Sequence, residues 1–296
     1  MNKIEIIKDK ILSFYQKPGF YDTPIEGFRV SRRNETTELK KCFYKPLVVL
    51  IIEGSKQTIF GNYKYTCSKG QYMACSVDIP LMSRIKTATK ENPYLGLVLE
   101  LDSYIISQLI AQTNTKELEY DKNSACFMGA DADKDLINAF IRLVELLEQT
   151  EDKQRILAPM IIKEIHYLLL TGPLKSLIMA ANTKGNQYNR IKDAISLLKE
   201  NYKEKINMDK LARSLNLSPS TFYKYFKKVT TVSPLQYQKQ LKLYEAQRLM
   251  LSGQHNAESA SYLVGYESPT QFNREYKKLF KNPPKKDIAS LILSNE

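Results

Sequence analysis

A chain of 296 residues with 44 Lys and Arg against 32 Asp and Glu carries a formal charge of +12; it is long enough for two ordinary domains and basic enough to meet a polyanion. Two histidines cannot build a multi-imidazole metal centre, and four cysteines (Cys42, Cys67, Cys75, Cys126) without CxxC spacing are too sparse for a disulfide scaffold. No apolar run reaches the roughly 18 residues of a membrane span, and Met1 to Tyr15 is charged throughout, unlike a secretory leader, so a cytoplasmic protein is expected, with its cysteines as small apolar fillers.

From Gly27 to about Asp102 short β-rich runs follow one another: Phe28 to Val30, Leu47 to Ile52, Gln57 to Phe60, Tyr63 to Thr66, Gln71 to Val77, Leu81 to Lys86 and Tyr94 to Glu100. Turn signals separate them, among them Glu53-Gly54-Ser55, Gly61-Asn62 and Asp78-Ile79-Pro80. Many short strands at regular spacing predict a small all-β barrel or jelly roll, whose interior can hold a small ligand. Two apolar stretches at helical spacing come next, Leu136 to Leu147 and Leu157 to Leu169, the second closed by Gly172-Pro173. They either pack on the barrel or pair to make a homodimer, and we expect the dimer. His166 is expected to be a packed or rim residue rather than a sensor. The polar run Asn182 to Gln187 marks a boundary, after which Arg190 to Tyr202 forms an amphipathic helix. The expected domains are 1–125, 126–185 and 186–296. From Asn186 onward 19 Lys and Arg face 10 Asp and Glu, so most of the basic excess lies in the last segment.

That segment contains an internal repeat with a period of 50 residues: Ser218, Phe222, Phe226 and Lys227-Lys228 recur as Ser268, Phe272, Tyr276 and Lys277-Lys278. In each copy Ser precedes Pro, an N-cap followed by a first helical residue that needs no N–H donor. A short amphipathic helix stands before each (Met208 to Leu215; Ala257 to Val264), with turns at Asn216 and Gly265. Short helix, tight turn, second helix is the helix-turn-helix pattern. The outward faces offer Ser220, Thr221, Tyr223 and Lys224 in the first copy and Thr270, Gln271, Asn273 and Arg274 in the second. Such groups read base edges in the major groove, while Lys227, Lys228, Lys277 and Lys278 suit phosphates. Leu235 to Leu251 predicts a connecting helix that holds the two reading helices about one DNA turn, roughly 34 Å, apart.

These residues resemble the AraC/XylS family of transcription regulators. The carrying positions are Ser218, Phe222, Phe226, Lys227; Pro234, Tyr237, Leu243, Ala246, Leu249; and Gly265, Tyr266, Ser268, Phe272, Arg274, Pro283, Pro284. The family's base-reading positions fall on Ser220, Tyr223, Lys224, Thr270, Asn273 and Arg274. Upstream, Tyr44-Lys45-Pro46, Gly61, Gly70-Gln71-Tyr72 and Ser76 to Pro80 resemble the cupin-like N-terminal domain of one subgroup. The resemblance implies an α+β protein: a cupin-like β-barrel sensor, a helical dimerisation segment and an all-α domain with two helix-turn-helix motifs. It implies an effector-sensing, sequence-specific regulator with double-stranded DNA, RNA polymerase, a second copy of the chain and a small-molecule effector as partners, with no membrane. No cofactor, metal or catalytic residue is expected, and the effector-binding residues are unknown. A ligand-independent regulator and, remotely, a cupin enzyme fused to a DNA anchor stay open, as does activation against repression. The chain departs from the family at Thr231 and Lys281, where Gly is usual. The small residues Ala257, Ala260 and Ser261 predict looser packing in the second unit.

Overall fold

The computed structural model describes residues 3–113, 126–183 and 185–293. The expected domain end at 125 and Lys184 of the expected linker lie outside them. Contacts divide the chain into two compact units, Met1–Leu39 with Tyr44–Lys184, and Gly185–Glu296 with Lys40–Phe43.

The first unit opens with α1 (Lys3–Phe14) and continues through β1 (Gly19–Asp22) and β2 (Phe28–Arg33); after β3 (Lys40–Tyr44), whose first four residues group with the second unit, come β4 (Leu47–Glu53), β5 (Ser55–Phe60), β6 (Tyr63–Ser68), β7 (Gln71–Cys75), β8 (Ile79–Thr87) and β9 (Tyr94–Glu100). After α2 (Ser103–Gln112) come β10 (Phe127–Asp131), α3 (Lys134–Glu145), α4 (Glu151–Thr171) and α5 (Lys175–Asn182). All seven expected strands are present. They do not close into one barrel: the described strands form a six-stranded sheet in the order β1-β2-β9-β4-β7-β10 and a four-stranded sheet in the order β3-β8-β5-β6. Every pairing with a described register is antiparallel. β10 lies in the stretch expected to be helical and adds to the sheet by pairing Phe127 with Cys75.

Alternation decides which side of the large sheet does what. Val48, Leu50 and Ile52 of β4 and Leu95, Leu97 and Leu99 of β9 join one apolar cluster with Ile4, Ile7 and Ile11 of α1, Phe140 of α3 and Ile165 of α4. The opposite residues Val49, Ile51, Met73, Cys75 and Val98 are at most 5% exposed, so no water-sized space adjoins these side chains. Thr58 of the second sheet meets Met73 of the first at 3.6 Å. The expected ligand-holding interior is therefore filled along this stretch. A cleft of about 1050 Å³ lies elsewhere, among Ile25 to Gly27, Leu99 to Ser103, and Gln154, Ala158, Pro159 and Ile162 of α4.

Both apolar helical stretches are helices, but they bury different amounts. Leu136, Phe140, Leu143 and Val144 of α3 are buried, whereas α4 buries Ile161, Ile165 and Leu169 and exposes Ile156, Leu157, Met160 and Tyr167. His166 is fully buried: the Asp102 N–H donates to its Nε2 at 2.9 Å, and its Nδ1 lies 2.7 Å from the Ile162 carbonyl oxygen. The first bond makes Nε2 the acceptor, so Nδ1 carries the proton, and burial lowers the ring's pKa. Burial likewise pushes the Cys67 thiol up to about 11 and the Cys75 thiol well above its ordinary value, as suits apolar fillers.

The second unit holds seven described helices: α6 (Gln187–Glu200), α7 (Met208–Ser214), α8 (Pro219–Thr230), α9 (Pro234–Leu251), α10 (Ala257–Leu263), α11 (Pro269–Phe280) and α12 (Pro284–Leu293). Its core runs along α9. The Tyr237 ring meets Phe226 of α8 at 5.3 Å, while Leu243, Ala246 and Met250 cluster with Ala260, Phe272, Tyr276 and Leu279. Ala260 and Ser261 are fully buried, and Tyr266, Phe272 and Tyr276 supply the bulk. The small residues of the second helix-turn-helix thus sit inside a core whose volume is supplied by large aromatics.

Candidate DNA-reading surface

Each reading helix begins where the sequence places its start. Ser218 is extended and its hydroxyl oxygen accepts from the Thr221 N–H at 3.2 Å; Ser268 accepts from the Gln271 N–H at 3.5 Å. Pro219 and Pro269 follow as first helical residues. The apolar faces are committed, since Phe222, Phe226 and Val229 on α8 and Phe272, Tyr276 and Leu279 on α11 are buried.

The remaining faces point to solvent. Ser220, Tyr223, Lys224, Lys227 and Lys228 of α8 are exposed, as are Thr270, Gln271, Asn273, Arg274, Lys277 and Lys278 of α11. Thr221 is half-buried, and its hydroxyl oxygen accepts from Ser218 at 2.8 Å, so it belongs to the cap as much as to the surface. Gln271 is drawn back toward Glu275 at 3.4 Å. Burial would raise the Glu275 pKa, but hydrogen bonds from Lys239, Tyr266 and Gln271 outweigh it and hold the carboxyl below its ordinary value. The cations of α8 and α11 make two basic tracks, each beside a set of neutral donors and acceptors, the pairing that phosphate and base-edge contact requires.

The turns before the two helices differ. In the first, Asn216 takes the left-handed conformation (φ 55°) and its carbonyl accepts from the Arg190 guanidinium at 3.0 Å. In the second, Gly265 takes it (φ 81°) and its carbonyl accepts from Lys242 Nζ at 2.9 Å. Two residues separate Asn216 from Pro219, and three separate Gly265 from Pro269. The repeat therefore has a period of 49 up to the turn and 50 beyond it. Thr231 (φ 66°) and Lys281 (φ 71°) end α8 and α11 in left-handed caps, which explains why glycine suits both places. Lys285 was missed by sequence reading; it lines a groove of about 480 Å³ with Ala257, Asn273, Arg274 and Lys277. Its signal was the Lys-Lys pair directly after Pro283-Pro284.

Two helix-turn-helix units around one shared helix define a DNA-binding protein of the double-unit class. Comparison with known proteins carries this to a family. The pattern of AraC-type transcriptional regulator N-termini matches residues 24–177, and a helix-turn-helix domain pattern matches residues 211–288. The chain belongs to the AraC-type transcriptional regulators. It is 31% identical over 90 residues to a lactose operon transcription activator from Staphylococcus xylosus, covering 30% of this chain and 32% of that protein. It is 23% identical over 119 residues to the RhaS activator of Pectobacterium carotovorum, covering 40% of this chain and 43% of that one. The matched segments thus span less than half of these relatives. A ToxT variant from Vibrio cholerae, in its apo form, shares the fold with a TM-score of 0.64 at 13% identity over 90% of this chain and 98% of that one. ToxT with an unsaturated fatty acid bound gives 0.56 at 14% identity, over 89% and 95%. Among the described residues no group of three or more His, Cys, Asp or Glu could hold a metal, and no helix is long and apolar enough to cross a membrane.

Proposed function

We propose that both helix-turn-helix units read DNA sequence, with Ser220, Thr221, Tyr223 and Lys224 on α8 and Thr270, Asn273 and Arg274 on α11 meeting base edges. Lys227, Lys228, Lys277 and Lys278 meet phosphates. The observation that carries this reading is that in both copies the buried face is apolar while the opposite face presents donors, acceptors and cations to solvent. Acting in the cytoplasm, the regulator contacts RNA polymerase through a further surface.

The chain works as a homodimer rather than an enzyme, and α4 offers the seam. Ile156, Leu157, Met160 and Tyr167 leave an apolar stripe on a helix whose other face is already packed, and a second copy of α4 covers it. A small effector bound by the N-terminal unit controls DNA binding. The fold shared with ToxT, one structure of which holds a fatty acid, supports an effector, and the cleft between β9, α2 and α4 is its place.

Selection from a random duplex library by the full-length protein, at stated salt, tests the central reading. A motif with two patches about one helical turn apart supports it. No enriched motif from either the full chain or the 186–296 segment would sink it.

A further inference from the structure

Where the two reading units touch directly, apart from the helix they share, Tyr202 packs against the core of the second reading unit and Lys242 bridges the two backbones. Lys242 on α9 extends its ammonium between two backbone carbonyls, donating to Lys203 in the loop after α6 at 3.2 Å and to Gly265 in the second turn at 2.9 Å. The same ammonium lies 5.7 Å from the centre of the Tyr266 ring. The two backbones are in contact here: a Cβ on Gly265 would overlap the Lys203 carbonyl oxygen. The loop itself is fixed to α9 by Gln238, whose Nε2 donates to the carbonyls of Tyr202 at 3.1 Å and Glu204 at 2.7 Å.

One helix alone is a poor ruler. α9 has 18 residues and is about 27 Å long, so a tilt of roughly 10° over that length displaces a reading helix at its end by about 5 Å, more than the ~3.4 Å rise per base. A second strut beside α9 suppresses such a tilt, and Lys242 supplies it. Two carbonyls facing each other across a shared ammonium attract only while that charge stays between them; without it their oxygens repel.

Resting on the reading that both units bind base edges, we propose that Lys242 is a positioning residue that fixes the separation at which one chain accepts its two DNA patches. It touches no base. Its effect is on spacing tolerance rather than on recognition within a patch.

The test measures affinity by fluorescence anisotropy, with the full-length protein, for duplexes carrying both selected patches at the preferred spacing and with one base pair removed or one or two inserted. Duplexes with a single patch serve as controls. Wild type should lose on the order of 10-fold in affinity for each off-register duplex. Lys242→Met should flatten that loss to about 3-fold or less while keeping wild-type affinity for either single patch, and Lys242→Arg should restore the profile. A Lys242→Met protein with the wild-type spacing profile overturns the proposal. A wild-type protein indifferent to spacing overturns the two-helix reading itself, and the proposal with it. If melting shows that Lys242→Met does not fold, Lys242→Gln takes its place in the same series, with the same outcomes deciding.

Discussion

The two helix-turn-helix units look like copies but are held in different ways. The first turn is anchored from within its own unit, by Arg190 of α6 on the Asn216 carbonyl. The second is anchored from the shared helix by Lys242, and its glycine lies against the loop of the first unit. Buried chemistry differs as well. Phe226 sits in an aromatic cluster with Phe222 and Tyr237, whereas its counterpart Tyr276 donates to Asp287 at 2.8 Å, a carboxylate that also accepts from Gln247 at 2.7 Å. The repeat thus keeps the Ser-Pro caps, the apolar face and the closing Lys-Lys pair, while the exposed reading residues and the supports beneath them differ.

The comparison breaks most visibly at the turns. Gly265→Ala places a side chain at φ 81° and against backbone, and should destabilise by about 2–4 kcal/mol in urea unfolding, whereas Asn216→Ala should cost about 1 kcal/mol. Equal costs would mean that the backbone approach at Lys203 does not distinguish the units. Next come the reading residues. Arg274→Ala should cost about 1–3 kcal/mol of DNA binding and relax preference at one base position, and Lys224→Ala should relax a different position in the other patch. A uniform loss across sequences would reassign either residue to phosphate.

Tyr276→Phe leaves Asp287 with one donor fewer in a buried site and should cost about 1–2 kcal/mol by thermal or chemical melting. Smaller still, and of opposite sign, Thr231→Gly and Lys281→Gly should each stabilise by about 0.5–1 kcal/mol, because both relieve a left-handed residue that carries a Cβ. Thr231, being β-branched, should gain the more. In the second helix-turn-helix the acid-side pH dependence falls on Glu275. Glu275 has its folded pKa held below the ordinary value, so its contribution is complete above the unfolded pKa of 4.5 and is lost as pH falls through the folded one. Melting between about pH 5 and pH 3 should therefore show a decline that Glu275→Gln lessens without abolishing. Glu53 in the N-terminal unit is also held below its ordinary value: burial would raise its pKa, but hydrogen bonds from Lys8, Gly54 and Lys69 outweigh it. A decline that Glu275→Gln leaves unchanged would place its cause elsewhere.

Where structure was legible in the sequence, periodicity and caps coincided. Ser218-Pro219 and Ser268-Pro269 fix two helix starts, and the apolar spacing after them fixes the buried faces. The seven strands read from the sequence are short β-rich runs punctuated by turns, and β4 and β9, buried on both faces, stand out as continuous apolar stretches. β1 and β10 escaped notice because they are edge strands of four and five residues, one opening on Gly19 and the other containing Gly129, each defined by its neighbour rather than by a pattern of its own. α2 was missed although Asp102 caps it, accepting from Tyr104 and Ile105, because that aspartate reads equally well as the end of β9. Spacing alone did not separate Met160, two-thirds exposed, from Ile161, buried beside it; only the packing of α4 on the sheet does. The extra residue between Gly265 and Pro269 was likewise hidden, since the 50-residue alignment of the reading helices absorbs it.

The most direct measurement is a base-by-base affinity profile on the selected operator for wild type, Lys224→Ala and Arg274→Ala. If both units read sequence, each variant loses preference at its own position, in patches about one helical turn apart, and keeps the other patch intact. If Arg274→Ala weakens binding uniformly and leaves every base preference as it was, the second unit only grips the backbone, and the claim of two reading helices is wrong.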